Sequence, residues 1–177
     1  MDGRRPRRKG RVVLALVTLA LAGCTAGKPI LWVEKDVSLA KYRTVHVTGV
    51  VNETGKTFDF DVARAIEDKI RSKLVERGVA LTELERPLAD TLVLQAALTA
   101  YSPGNAAARW ALPGAGATEC IVKGGLVDGQ TGTQVGVLLS HRSVSSGGLF
   151  TVGADTRILD VVATDIADAV ADALRRQ

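Results

Sequence analysis

The Gly55-Lys56-Thr57 segment has the residue types of a phosphate-binding loop, in which backbone amides and a lysine hold phosphate oxygens. It follows a predicted strand and precedes a predicted helix, which is the context that such a loop requires. The spacing does not fit, because the motif places four residues between its first glycine and the Gly-Lys pair, whereas Gly49 leaves five. We therefore predict a turn before a helix here and no nucleotide site.

The two histidines, His46 and His141, lie on separate predicted strands, and no second metal ligand is near either of them in sequence. A zinc site needs three or four ligands. Ser140 and His141 are neighbours on one strand, so their side chains point to opposite faces and cannot form a nucleophile–base pair. We therefore predict no catalytic residue, no metal site, no cofactor and a protein that is not an enzyme.

Cys24 is the residue whose surroundings predict a defined chemistry. Six basic residues lie among the first 11 positions, and residues 12–22 form an apolar run. A basic segment followed by a short apolar run and small residues is typical of a secretory signal. The run has about half of the ~20 residues that a membrane-spanning helix needs, so we do not expect it to remain as a span.

The tetrapeptide Leu21-Ala22-Gly23-Cys24 resembles the lipobox of bacterial lipoproteins at all four positions. The resemblance implies cleavage before Cys24, a diacylglyceryl group on its thiol, and stable anchoring by two or more acyl chains such as palmitate. Residue 25 is threonine and not the aspartate that retains some lipoproteins at the inner membrane, so the resemblance further implies an outer membrane, facing the periplasm. The alternative is an ordinary signal peptide or a core helix that contains a cysteine.

The charge of the chain is concentrated in its first residues. The formal net charge is +4, but removal of residues 1–23 leaves 17 basic and 18 acidic residues and a net charge of −1. With no later basic stripe, we predict no nucleic-acid partner. We predict three parts: a signal peptide that is removed (1–23), a lipidated cysteine with a short tether (24–38), and a single domain (39–177).

The apolar patterns of that domain alternate between strands and helices. Strands with apolar residues at every second position, and helices with apolar residues at three- and four-residue spacing, predict an α+β fold. We expect a mixed, mainly antiparallel sheet of four to five strands with two helices on one face. In this arrangement Cys120 points into the core, and Glu67 and Arg71 pair on the solvent side of the first helix. The main elements are predicted at residues 42–51, from 59 or 61 to 77, 91–101, 117–128, 135–139 and 157–175, with a short strand at 79–84. Either Asp59 or Asp61 can cap the first helix, Gly78 ends it, and residues 128–132 form a turn.

Two long loops are the candidate binding surfaces. Residues 102–116 and 145–156 emerge at the same end of the sheet if the strands between them form a hairpin. Long loops with large apolar residues on a rigid scaffold commonly bind partners. The alternative is that the aromatic residues fold over the edge of the core. The candidate partner-binding residues are Arg109, Trp110, Leu112, Leu149 and Phe150.

Glycine turns in these loops carry a family resemblance. The pattern Gly-Asn, Arg, Gly-x-Gly and Asp-x-x-Thr-Gly resembles the domain-of-unknown-function 4410 family over about residues 39–174. The resemblance implies a bacterial envelope protein, often a lipoprotein, and assigns no catalytic residue. The matching positions are Gly104, Asn105, Arg109, Gly114, Gly116, Asp128, Thr131 and Gly132.

These observations together predict a non-catalytic, lipid-anchored envelope module. We expect it to bind another envelope protein or a cell-wall component through the two loops. One alternative is an envelope hydrolase with its site at the same loop end. Another is self-assembly into a ring or filament, because exposed loops or a sheet edge can pair with further copies.

Overall fold

A computed structural model describes residues 29–83, 89–112, 115–145 and 153–176. The predicted signal peptide, lipobox and Cys24 lie outside the described residues. The described part is an α+β domain in which two long helices pack on one face of a mixed sheet. This confirms the predicted class, but the sheet has six strands instead of four or five, and a third, short helix lies in the loop after the fourth strand.

The strand order across the sheet is β1-β6-β5-β4-β2-β3. The strands β1, β6, β5 and β4 are joined by antiparallel pairing, whereas β4, β2 and β3 are joined by parallel pairing. The elements are β1 (Ile30–Val33), a 3-10 turn (Leu39–Lys41), β2 (Thr44–Asn52), α1 (Val62–Glu76), β3 (Ala80–Leu81), β4 (Thr91–Ser102), α2 (Ala106–Ala111), β5 (Thr118–Asp128), β6 (Gln134–Val144) and α3 (Ala154–Arg175).

The first strand lies in the segment that the sequence analysis treated as a tether. Residues 30–33 pair with β6, with Ile30 opposite Leu139 and Val33 opposite Gly136. Because side chains alternate along a strand, Leu31 and Val33 pack against the core while their neighbours point to the opposite face. Four of the tether residues are therefore an edge strand of the sheet.

The long helices begin and end where local chemistry favours it. Asp61 caps α1, because its carboxylate accepts a hydrogen bond of 2.9 Å from the amide of Arg64. Gly78 follows the helix with a φ of +77°, the left-handed conformation that glycine adopts without strain. The last helix begins at Ala154, earlier than the predicted residue 157, and its N-cap is Gly153 with no side-chain cap.

The core lies between the sheet and the two long helices. Within the described residues no helix combines the length and the apolar character needed to cross a bilayer. Apolar side chains from both layers are fully buried there, and Cys120 is among them, as predicted. The core includes Val45, Val47, Leu92, Leu94, Leu98, Val122 and Leu126 from the sheet and Ile66, Ile70, Leu74, Val162, Ile166 and Val170 from the helices.

Candidate functional site

The candidate loops leave the sheet at one end, which we call the loop end. Ser102 pairs with Glu119, and Thr118 pairs with Val144, so β4 ends where β5 begins and where β6 ends. The loop between β4 and β5 and the segment after Val144 therefore emerge together. The loop end was predicted from the hairpin, and the strand register confirms it.

Hydrogen bonds close the neck of the 102–116 loop. The amide of Asn105 donates to the carbonyl of Gly116 at 2.8 Å, and the hydroxyl of Thr118 donates to the carbonyl of Pro103 at 2.9 Å. Gly116 has a φ of +63°, and a Cβ atom there would lie 2.6 Å from the Asn105 carbonyl oxygen. The glycine and asparagine of the family pattern thus fix the shape of the loop.

The loop carries the short helix α2, which the sequence analysis did not predict. The side chain of Asn105 caps it by accepting a hydrogen bond of 3.0 Å from the amide of Ala108. The signal was present in the sequence, because Asn105 precedes three alanines, the best helix-forming residue. The loop end therefore carries a short helix that is capped by Asn105 and follows a closed neck.

The predicted site residues fall into two groups. Arg109 and Trp110 belong to α2, and Leu112 follows it with a side chain that is 64% exposed. Leu149 and Phe150 lie outside the described residues, as do Leu21, Ala22, Gly23 and Cys24. The structure therefore brings the first three onto one loop and leaves the other predictions as they stand.

Asp128 has the most strongly perturbed carboxyl group of the described residues. Its Oδ2 accepts hydrogen bonds of 2.8 Å from both Lys41 Nζ and the Tyr42 hydroxyl, and its Oδ1 accepts from the amides of Gln130 and Thr131. The Lys41 hydrogen bond, followed by those from Thr131 and Tyr42, holds the pKa of Asp128 well below its ordinary value. This motif residue fixes the hairpin turn to the 3-10 turn.

Two further carboxylates join helices to the sheet. Asp165 on α3 accepts from the Ser140 hydroxyl at 2.9 Å and from the Arg142 guanidinium at 2.5 and 2.6 Å.

Glu67 on α1 accepts from Arg71 at 3.0 Å, and Arg71 also donates to the Val47 carbonyl at 2.6 Å. Glu67 is buried, so its predicted place on the solvent side is wrong. Glu67 borders the buried stripe of α1, and the Gly49 backbone in the irregular part of β2 lies close to its carboxylate.

The two histidines and Cys120 lie in surroundings typical of residues with a structural role. The Nδ1 atom of His46 lies 2.9 Å from the Thr82 carbonyl oxygen, and Nε2 of His141 lies 2.9 Å from Glu119 Oε1 on an exposed surface. Burial raises the pKa of the Cys120 thiol to about 12. Among the described residues no group of three His, Cys, Asp or Glu side chains is placed to hold a metal ion.

A second exposed surface, which the sequence analysis missed, is the sheet face opposite the helices. We call it the open face. Along the strands of a sheet with one solvated face, the side chains that point to solvent are normally polar, but this face bears large apolar side chains. A shallow cavity of about 530 Å³ lies at its centre. The signal in the sequence was the continuous apolar run of β1, since such a run places apolar residues on both faces. The exposed large apolar residues of this face are Ile30, Trp32, Val51 and Val137.

The candidate site is therefore a pair of surfaces on a two-layer domain, and Asn105, Gly116 and Asp128 of the family pattern hold its described turns in place. The family model for the domain of unknown function DUF4410 matches residues 49–148, and the chain belongs to that family. No curated protein matches the chain.

Solved structures share the fold at low sequence identity. The PelC dodecamer from Paraburkholderia phytofirmans is 21% identical, with a TM-score of 0.55 over 85% of this chain and 100% of that chain. A variant of that protein with a single substitution, also a dodecamer, is 19% identical with a TM-score of 0.51, over 84% and 99% of the two chains. A DUF330 protein from Xanthomonas campestris is 12% identical with a TM-score of 0.52, over 82% and 94%.

Proposed function

We propose that this protein is a non-catalytic, lipid-anchored envelope protein that binds its partner at the loop end, through residues 102–116 and 145–156. The observation that carries the proposal is the closed neck of the first loop, where Asn105 and Gly116 are joined and α2 is capped. A loop held in this way holds α2, to which Arg109 and Trp110 belong, and the exposed Leu112 at low entropic cost, which favours binding.

The proposal includes the absence of a catalytic site. Catalytic groups usually combine a perturbed pKa with a place in a cleft. Here the pKa of Asp128 is perturbed because its oxygens accept four hydrogen bonds within the fold. Asp165 and Glu67 likewise bind arginines that join elements. These ion pairs join elements of the fold, which is why we propose no catalytic role for these carboxylates.

The anchor is tested by metabolic labelling with a palmitate analogue. We expect the wild type to be labelled, Cys24→Ala to lose the label, and the matched control Cys120→Ala to keep it, because Cys120 is buried. We also expect the labelled protein in outer-membrane fractions. Label retained on Cys24→Ala would contradict anchoring at that residue.

The binding surface is tested by in-cell photocrosslinking. A photoreactive amino acid at Leu112, at the loop end, is compared with one at Val75, an equally exposed apolar position on α1. We expect a crosslinked product with an envelope protein or with cell-wall material from position 112 only. Identical products from both positions, or none from 112, would count against the loop end.

Self-assembly is a second candidate, supported by the fold shared with a protein whose structure is a dodecamer. In this case the partner at the loop end is another copy of the chain. Mass measurement of the detergent-extracted protein separates the two candidates. If the chain assembles with itself, we expect the wild type to have a multiple of the monomer mass and Leu112→Asp to have the mass of the monomer. A monomeric wild type would exclude this candidate.

A further inference from the structure

The exposed apolar residues of the open face include a pair next to the N-terminal segment. Ile30 and Trp32 on β1 are 62% and 50% exposed. They lie beside Leu139 and Val137 of β6, which pair with them in the sheet. We call these four residues the β1–β6 corner. All four side chains are apolar, and two belong to the first strand of the domain.

The corner is close in sequence to the proposed lipid. Five peptide units separate Cys24 from Pro29, the first described residue, and they span at most about 18 Å when fully extended. Ile30 is the next residue. A lipid on Cys24 would therefore hold the corner within roughly 20 Å of the bilayer surface. At that range a weak apolar contact becomes an intramolecular one, with a high effective concentration.

The chemistry of the corner matches the interfacial layer of a bilayer. Tryptophan is enriched at this layer, because its ring is apolar and its N–H group needs a polar partner. Lys123 lies in the neighbouring strand, opposite Leu139, and gives the face an ammonium group that can meet lipid phosphates. The apolar residues can enter the interfacial layer while Lys123 contacts lipid phosphates, which is the division of roles found in interfacial helices.

The small size of the corner disfavours a second protein copy as its occupant. Four partly exposed side chains offer a few hundred Å² at most, whereas a stable protein interface needs about 800 Å² from each partner. A tethered membrane contact has no such threshold, because the lipid already supplies the anchoring.

We propose that the β1–β6 corner rests in the interfacial layer of the bilayer that holds the Cys24 lipid. This inference rests on the proposed function, since it requires the anchor. The inference adds an orientation to the proposed function: the open face is turned towards the membrane at β1, and the helices are turned away from it.

Tryptophan fluorescence tests the inference, because Trp32 and Trp110 are the two tryptophans of the chain. Full-length lipidated Trp110→Phe is reconstituted into phosphatidylcholine–phosphatidylglycerol vesicles, with or without brominated phosphatidylcholine. The bromine atoms are placed near the headgroup end of the acyl chains, and we expect this lipid to quench the Trp32 emission, since bromine quenches by contact and a tryptophan in the interfacial layer lies at that depth. If Trp110→Phe does not fold, the difference in emission between the wild type and Trp32→Phe gives the same quantity.

The outcomes separate the orientation from the anchor. Protein that floats with the vesicles while Trp32 remains unquenched overturns the inference alone. Blue-shifted, unquenched emission that turns red on dilution in detergent also overturns it and assigns the corner to a second copy. Protein that does not float with the vesicles overturns the anchor and, with it, this inference.

Discussion

At the scale of single residues, the carboxylate of Asp128 shows that a residue of the family pattern can have a structural role. Its two oxygens accept hydrogen bonds from Lys41, Tyr42 and two backbone amides of the hairpin turn. The two side-chain donors cannot be recognised from the turn sequence, because Lys41 and Tyr42 lie more than eighty residues away in the chain. The sequence predicted the turn but not its connection to the 3-10 turn.

Replacing Asp128 by Asn should weaken the fold. The amide keeps one acceptor but loses the charge that receives the Lys41 and Tyr42 hydrogen bonds, so we expect the free energy of unfolding to fall by about 2 kcal/mol. Urea denaturation at neutral pH measures this change. The control is Asp59→Asn at an exposed position, where a change within about 0.5 kcal/mol is expected. Equal effects at the two positions would contradict the assigned role.

The same pair of proteins should differ in its pH dependence. The pKa of Asp128 is lower in the folded protein than in the unfolded chain, so its contribution to stability is complete above about pH 5 and is lost as the pH falls towards the folded pKa. We expect the stability difference between the wild type and Asp128→Asn to narrow between about pH 5 and pH 2. A difference that is constant across this range would show that the carboxylate charge is unimportant.

Cys120 should be chemically silent in the native protein. Burial raises the pKa of its thiol to about 12, so almost no thiolate exists near neutral pH and the sulfur is inaccessible. We expect no reaction with a thiol reagent at pH 8 in native buffer and complete reaction in urea. Rapid labelling of the folded protein would contradict the buried position.

At the scale of elements, the neck of the 102–116 loop depends on Gly116. Alanine at this position combines a positive φ with a Cβ atom that meets the Asn105 carbonyl oxygen and the Ala108 side chain. The matched control is Gly55→Ala, which has a φ of +69° and no atom within 4 Å of its Cβ position. We expect a loss of about 1 kcal/mol in stability for the control and clearly more for Gly116→Ala, measured by thermal unfolding. Equal losses would show that the neck tolerates the added atom.

The contact between α3 and β6 depends on Asp165. Its carboxylate binds the Arg142 guanidinium through two nitrogens at low exposure and accepts from Ser140, so removing it breaks a buried ion pair and a buried hydrogen bond between helix and sheet. We expect Asp165→Ala to lower the free energy of unfolding by about 3 kcal/mol. Asp172→Ala, on the same helix but in an exposed pair with Arg175, should cost less than about 0.5 kcal/mol. Urea titrations of both variants decide the comparison.

Elements were predictable from sequence where their cause is local. The α1 cap at Asp61, the turn after Asp128 and the glycine after α1 all depend on residues within one turn of the element. The β1 strand was missed because it exists only through pairing with β6, more than one hundred residues later. The buried position of Glu67 was missed although the helix pattern contained it, because Glu67 lies one turn after the buried Ala63 and one turn before the buried Ile70.

At the scale of the whole molecule, the order of strands is the part that sequence patterns do not contain. Alternating apolar residues predict that strands exist, but the parallel pairing of β2 with β4 depends on how the chain crosses over through α1. The candidate site has the same division. The loop end followed from the hairpin, whereas the open face becomes visible only when all six strands are in place.

The fold should be independent of the anchor. Cys24 precedes the first strand by six residues, and the described core is formed by residues after that point. We therefore expect Cys24→Ala to unfold within about 0.5 kcal/mol of the detergent-extracted wild type. Chemical denaturation monitored by circular dichroism measures this difference. A large loss of stability would show that the acyl chains pack against the domain.

One contact at the β2 edge of the sheet affects whether neighbouring copies can aggregate by pairing their strands. The third strand covers only the first two residues of β2, which leaves the rest of that border next to solvent. Arg71 places its guanidinium on the carbonyl of Val47 there. A charged group at that carbonyl obstructs the approach of a strand from another chain, so this border of the sheet is protected against edge-to-edge pairing. Such protection matters most for proteins confined to two dimensions, where collisions between neighbours are frequent and always similarly oriented.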